Sequence, residues 1–355
     1  MEFWTTSAAM PSRMAEMARQ AEALGWDGIG VVDSQNLSGD PYVSLAMAAT
    51  GSERLGVMTS VTNVATRVPA VTASSAISVQ KVSGGRMVLG IGRGDSALAH
   101  LGRAPARVKW FENYLEVLQA YLRGEDVPFS RAAILDGVAP PVENLGLADT
   151  PTSSSIHWAE GEKKVPVEVA STGARVIGIA ARHADRIMFA LGADPDRIRW
   201  GIETARQAAA DAGRDPDGLN YGAYVNLVCH DDMDIAREMG RAGTSLFARF
   251  SVMHGTVSGP ANEQQQSVFR DVHDRYDMNK HAQASGNQTK ALTDEFMDSF
   301  AIIGPKTRCV ERLQELSGLG IEKFVIAGPN FTARHPEAVT AANNFVEGVM
   351  NPLRA

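Results

Sequence analysis

Short apolar runs alternate with amphipathic segments from end to end of this chain, and that rhythm constrains the fold more than any single motif. Trp4 ends a first strand. Residues 10–24 carry Met14, Met17, Ala18, Ala21 and Leu24 at helical spacing and stop at Gly25, a residue suited to a helix C-cap. A strand is predicted over 29–32, stopped by Asp33. Asp40 caps a helix that Pro41 opens and that runs to about residue 50. Strands follow at 55–60 and 87–89, separated by a helix from Pro69 to residue 82. A long helix over 106–123 carries Phe111, Tyr114, Leu115 and Leu118. The same alternation gives strands at 165–170, 186–189, 221–228 and 321–327. The accompanying helices span 173–183, 195–212, 233 to about 250, 306–316 and 336–350.

Eight strands, each followed by a helix, predict an α/β chain folded as a (β/α)8 TIM barrel. A doubly wound sheet is the competitor, but it rarely needs eight evenly spaced units, and no βα turn here carries its phosphate fingerprint. Two stretches break the alternation. Residues 124–164 hold four prolines and the polar run 150–155, which reads as an irregular excursion with room for a short hairpin. Residues 251–298 are polar, with Gln264, Gln265 and Gln266 in a row, and read as a mostly helical insertion after strand 7. The whole of 1–355 is expected to form a single barrel domain.

Composition narrows the partners. The 355 residues are 44% hydrophobic and 21% charged, an ordinary balance for a globular chain. A formal charge of −7 without a Lys/Arg cluster argues against nucleic acid or an anionic membrane. No apolar stretch reaches membrane-spanning length, and residues 1–5 show no signal core, so a cytoplasmic protein acting on a small molecule is expected. Cys229 and Cys309 each stand alone in sequence and read as reduced, buried thiols. The eight histidines show no metal-ligand spacing, so no metal is expected.

In a barrel, function sits at the C-terminal ends of the strands. Those ends hold Asp33 to Asn36, Ser60 to Asn63, Gly92 to Asp95, Ala170 to Gly173, and Ala190, Leu191 and Gly192. Residues 84–95 are the most informative: a short apolar strand at 87–89, then Gly90, Gly92 and Gly94, then Asp95. Glycines directly after a strand leave a shelf of bare backbone on which a flat ligand can lie, with Asp95 as the first titratable group beyond it. A tight turn is the plainer reading of such glycines, and an N-cap or turn is the plainer reading of Asp95.

The segment from Gly56 to Asp95 resembles the bacterial luciferase-like superfamily, within it the branch typified by methylenetetrahydromethanopterin reductase. Val61-Thr62-Asn63, Thr66-Arg67, Pro69 to Ala73, Ser83 to Arg86 and Gly90 to Asp95 match that branch in register within about forty residues. The resemblance implies a TIM barrel with an excursion after the seventh strand, binding FMN or a 5-deazaflavin at the C-terminal mouth, and a homodimer. It implies that Ser60-Val61 is a non-prolyl cis peptide behind the ring, with Thr62 and Asn63 beside it. Gly92, Arg93, Gly94 and Asp95 would lie against the ring, with Asp95 handling a proton at the hydride centre. Asp33 falls on an acidic position that in the family is normally followed by histidine. Here Ser34 stands instead, which sets aside the sugar-phosphate chemistry of that histidine and leaves Asp33 as acid/base or as loop anchor.

Ser171, Thr172, Gly173, Ala174 and Arg175 would take the cofactor phosphate at a helix N-terminus. The alternative there is a capped helix with an exposed arginine. Leu191 and Gly192 complete the implied cofactor set. Trp4 either lines the pocket or fills the core. The best-matched branch implies an oxidoreductase moving a hydride between coenzyme F420, an 8-hydroxy-5-deazaflavin, and a small organic substrate. An FMN-dependent monooxygenase served by a separate reductase is the alternative. A non-catalytic flavin-binding barrel is a third reading.

Overall fold

The protein is described by a computed structural model, which covers residues 1–131, 138–329 and 335–354. Eight strands run parallel and close on themselves. They are β1 (Glu2–Ser7), β2 (Gly28–Val31), β3 (Gly56–Thr59), β4 (Met87–Gly92), β5 (Val167–Ser171), β6 (Arg186–Phe189), β7 (Tyr221–Cys229) and β8 (Ile321–Ala327). Each pairs with the next, and β8 closes the ring on β1 through partners such as Phe3 and Phe324. The strands are short and almost wholly buried on both faces, which is what a parallel sheet jacketed by helices requires. The TIM barrel expected from the alternation is the fold observed.

The helices form where proline, aspartate and apolar spacing coincide. They are α1 (Pro11–Ala23), α2 (Pro41–Thr50), α3 (Pro69–Val82), α4 (Val108–Leu122), α5 (Ala174–His183), α6 (Pro195–Asp211) and α7 (Met233–Ser251). Asp40 accepts from the N–H groups of Tyr42 (2.8 Å) and Val43 (3.1 Å), the expected cap. Asp194 and Asp232 cap α6 and α7 in the same way. Between β7 and β8 the chain also forms α8 (Glu263–Asp274), α9 (Asp294–Phe300), a strand Ile302–Gly304 that extends β7, and α10 (Lys306–Gly318). Beyond β8 lies α11 (Ala338–Phe345), which passes into a π-helical turn at Val346–Met350, so the helix expected over 336–350 is shorter and changes hydrogen-bond register. In the 124–164 stretch, Val127–Pro128 pairs antiparallel with Ser153–Ser154, while residues 132–137 fall outside the described residues. Among the described residues no helix is long and apolar enough to cross a membrane.

Trp4 lies within β1 rather than at its end, and it fills the barrel interior. Its indole occupies space that only glycine leaves open: a Cβ on Gly28 would sit 2.2 Å from the ring, and one on Gly56 2.4 Å. Lys323 from β8 lies over the indole, 3.6 Å from its centroid, and its ammonium bonds both oxygens of Glu168 on β5 at 2.9 and 3.0 Å. Arg186 adds a second cation 3.4 Å from Glu168. Lys323 is 1% exposed, and its charge is matched on every side. This end of the barrel is a sealed plug.

Candidate active site

At the opposite end the interior opens into a cavity of about 740 Å³. Its walls come from all eight strands, β1 to β8, or the turns that follow them, and from the α7–α8 region. Of the residues singled out in sequence, Asp33, Ser60, Val61, Asn63, Gly92, Arg93, Gly94, Asp95, Thr172, Gly173, Ala174 and Arg175 line it. The peptide Ser60-Val61 is cis.

The three glycines after Leu89 have three different jobs, and β4 runs on through two of them to Gly92, beyond the end expected at Leu89. Their neighbours hold the strand: Gly90 pairs in register with Glu168, and Ile91 with Val169. A Cβ on Gly90 would sit 2.1 Å from the Thr59 carbonyl oxygen, so that glycine serves strand packing. Gly94, at φ +85°, makes the turn. Gly92 alone is the shelf: an added Cβ would meet Val61 Cγ2 at 3.3 Å and Ala170 Cβ at 3.9 Å, across the cavity wall.

Asp95 precedes a single helical turn, Ser96–Ala99, but its side chain caps nothing. One carboxylate oxygen, Oδ2, accepts from Arg249 of α7 at 2.5 Å. The other, Oδ1, is buried with no hydrogen-bond partner among the described residues. Arg249 itself lies over the ring of Tyr276, 4.5 Å from its centroid, and the Tyr276 hydroxyl is 3.0 Å from Nδ1 of His281. Asp33 is more tightly held: its Oδ2 accepts from Thr62 Oγ1 and from Arg67, both at 2.7 Å, and Arg67 continues to Asp40 at 2.8 Å. It behaves as the anchor of the β2 loop.

The cavity carries excess positive charge on one side. Arg93, through Nε, donates to the Ala106 carbonyl at 2.6 Å, and burial together with the nearby Arg175 pushes its pKa down. Among the described residues, neither arginine is in a salt bridge. His254 is held below its usual pKa by burial and then by Arg93, Arg175 and Arg249. Gly173 precedes α5 without a side chain to cap it. Two like charges crowding an uncapped helix N-terminus make a place for an anion.

Four residues expected at the cofactor lie elsewhere, each for a visible reason. Thr62 is fully buried behind Asp33 and spends its hydroxyl on that carboxylate. Ser171 is buried and donates back to the Val169 carbonyl. The Leu191 carbonyl accepts from Arg197, with the side chain in the core. Gly192 turns at φ +79° against the Phe300 ring, where a Cβ would sit 2.5 Å away. Trp4 is likewise core. Conversely, sequence reasoning missed Tyr224 on β7, Leu246, Phe247 and Phe250 on α7, and Met253, His254 and His281 beyond it. The α7 residues repeat at helical spacing, a signal indistinguishable from ordinary core packing.

Away from the mouth, Cys229 and Cys309 are both buried and face each other within hydrogen-bonding reach, so they are neighbours despite their separation in sequence. Glu112, Glu116 and His183 also converge, with ligand atoms within 4.8 Å, although Arg182 (2.5 Å) and Arg131 (2.9 Å) already neutralise the two carboxylates.

Residues 3–323 match the family model described as luciferase-like monooxygenase. The chain is 25% identical over 327 residues to a 5,10-methylenetetrahydromethanopterin reductase of Methanolobus tindarius, covering 89% of this chain and 90% of the relative. In fold it is similar to the coenzyme F420 dependent tetrahydromethanopterin reductase from Methanopyrus kandleri, with a TM-score of 0.72, 18% identity and 99% of each chain covered. It is also similar to a monooxygenase from Streptomyces bottropensis, with a TM-score of 0.65 at 16% identity, covering 100% of each chain.

Proposed function

The chain belongs to the luciferase-like monooxygenase family, and on that premise we propose that it is an oxidoreductase using coenzyme F420 to move a hydride to or from a small organic substrate. The observation that carries this reading is the Gly92–Val61 wall ending at Arg93, Arg175 and the N-terminus of α5. A planar ring with an anionic tail is the ligand such a wall and such an end would take. The reductase relatives favour the deazaflavin over FMN.

A bound deazaflavin supplies or accepts the hydride; the protein does the rest. Gly92 and the Ser60-Val61 peptide give the ring a flat backing. Arg93, Arg175 and the first N–H groups of α5 would hold the phosphate. Leu246, Phe247, Phe250 and Met253 close an apolar wall that keeps water away and selects an apolar substrate surface. Asp95, which lines the cavity, is held through Oδ2 by Arg249, and its Oδ1 is buried without a hydrogen-bond partner among the described residues. That oxygen takes up the proton when the substrate is oxidised and returns it when the substrate is reduced. An unpartnered carboxylate oxygen at this place counts against a barrel that merely stores flavin.

Titration of the purified protein with F420 and with FMN, followed by fluorescence, tests the assignment. F420 is expected to bind at least tenfold more tightly, a difference of about 1.4 kcal/mol. Gly92→Val, whose added carbons press on Val61, is expected to lose binding of F420 while its melting curve stays cooperative. Equal affinities, or a preference for FMN, would move the protein to the monooxygenase reading.

A further inference from the structure

We propose that Tyr224 selects the cofactor by bonding the 8-oxygen of a deazaflavin, the position at which FMN carries a methyl group. The inference rests on the F420 reading and adds to it the residue that separates the two cofactors.

Tyr224 projects from β7 into the cavity and is 6% exposed. Its hydroxyl is buried and forms no hydrogen bond among the described residues. The Ser60 side chain lies beside it, in a contact that falls short of hydrogen-bond geometry. A buried hydroxyl left so costs free energy unless a ligand supplies the partner. Burial pushes the phenol above its ordinary pKa, as does the Glu168 carboxylate, so the group stays neutral and keeps its proton to donate. The Phe247 ring, 6.4 Å away between centroids, packs against the Tyr224 ring.

The surroundings decide which part of a flat ligand belongs there. Ser60 is the residue next to Val61, which faces the Gly92 shelf, so a ring lying on that shelf brings one end to Tyr224. Tyr224 belongs to one apolar cluster with Ala190, Phe247 and Met188, against which Val61, Ala170 and Ala327 pack. Apart from the Glu168 carboxylate, which is paired with Lys323, that is an apolar surround carrying the Tyr224 and Ser60 hydroxyls. The pyrimidine end of either cofactor bears two carbonyls and an N–H and would leave most of them unsatisfied here. The benzenoid end of a deazaflavin bears a single oxygen on an otherwise hydrocarbon ring, and it matches. The benzenoid end of FMN presents methyl groups, which would leave the Tyr224 hydroxyl buried without a partner.

The test compares wild type with Tyr224→Phe, titrating each with F420 and with FMN. It also follows the visible absorbance of bound F420 against pH, which reports ionisation of its 8-hydroxyl. The variant is expected to bind F420 about tenfold more weakly and FMN no more weakly than wild type. A donor at the 8-oxygen stabilises its ionised form, so the bound cofactor is expected to ionise at higher pH in the variant. If wild type binds no F420, both the F420 reading and this assignment fall. If wild type prefers F420 but the variant weakens both cofactors equally, or neither, or leaves the ionisation unmoved, the assignment alone falls.

Discussion

The two ends of the barrel interior are built on opposite rules. At the Trp4 end, three charged groups sit within a few ångströms of one another: Lys323 bonds Glu168, Arg186 lies beside them with no hydrogen bond from its Nη1 among the described residues, and the indole packs into the gaps at Gly28 and Gly56. At the Gly92 end, Asp95 has a free oxygen, Tyr224 a free hydroxyl, and Arg93 and Arg175 repel each other. Both ends bury polar atoms in the same fold. The Lys323 and Glu168 charges are paired with each other, whereas Asp95 Oδ1 and the Tyr224 hydroxyl have no hydrogen-bond partner among the described residues.

The strongest way to break that contrast is Lys323→Met. Removing one partner of a buried pair leaves Glu168 under-compensated, and stability is expected to fall by about 3 kcal/mol, read from the urea midpoint. Cofactor affinity of the folded variant should be unchanged. A stable variant with altered cofactor binding would mean that the sealed end belongs to the site after all.

At the open end, Asp95→Asn should do the reverse. The side chain makes no cap bond, but the change takes the charge from the carboxylate that Arg249 bonds at 2.5 Å, so a modest fall in melting temperature is expected. Turnover at full cofactor occupancy should fall about 10²- to 10³-fold, within the usual range for a lost general acid–base group. One limb of the pH–rate profile should vanish. Undiminished turnover would take Asp95 out of the mechanism and pass the role to Asp33.

The smallest effect sharpens the electrostatic half of the contrast. The folded pKa of His254 lies below the ordinary 6.5, first through burial and then through the three arginines. As pH falls below 6.5 the unfolded chain binds the proton first, so stability present above that pH is lost on acidification. An anionic cofactor relieves the repulsion, so its affinity should rise as pH falls, by no more than about tenfold per pH unit, the limit for one proton. His254→Gln should flatten both dependences. A slope that survives in the variant would assign it to another group, with His281, also held low by burial, as the next to test.

The barrel was legible because its signal is local. Apolar runs at 221–228 and 321–327, and helices opened by Pro41, Pro69 and Pro195, stand nearly where periodicity puts them. What failed locally did so for tertiary reasons. Gly90 and Gly92 read as chain beyond a strand, because glycine is a poor strand former, yet pairing with β5 holds Gly90 and pairing with Asn63 holds Gly92 in β4. The site was legible only on the strand ends. The Asp95–Arg249 pair joins residues 154 apart, and neither sequence neighbourhood hints at the other. Tyr224 sits in a run of uniformly buried residues, where nothing marks one hydroxyl as unmatched. Leu191 and Gly192 look like other small loop residues until Arg197 and Phe300 are seen to occupy them.

Arg197 also shapes how this protein can change. Its guanidinium, fully enclosed, donates to the Leu191 carbonyl, to Ser251 Oγ and to the carbonyls of Ser258 and Pro260, at 2.7 to 2.9 Å. It thereby fastens both feet of the short span that carries Met253, His254 and Thr256 into the cavity. A span clamped at both feet can exchange residues between them without disturbing the strand ends that wall the cavity. Variation at Met253 and Thr256, which line the cavity between those feet, would then change what the cavity accepts while the strand ends stay as they are. The arginine makes this segment an interchangeable cassette, a natural starting point for libraries aimed at new substrates.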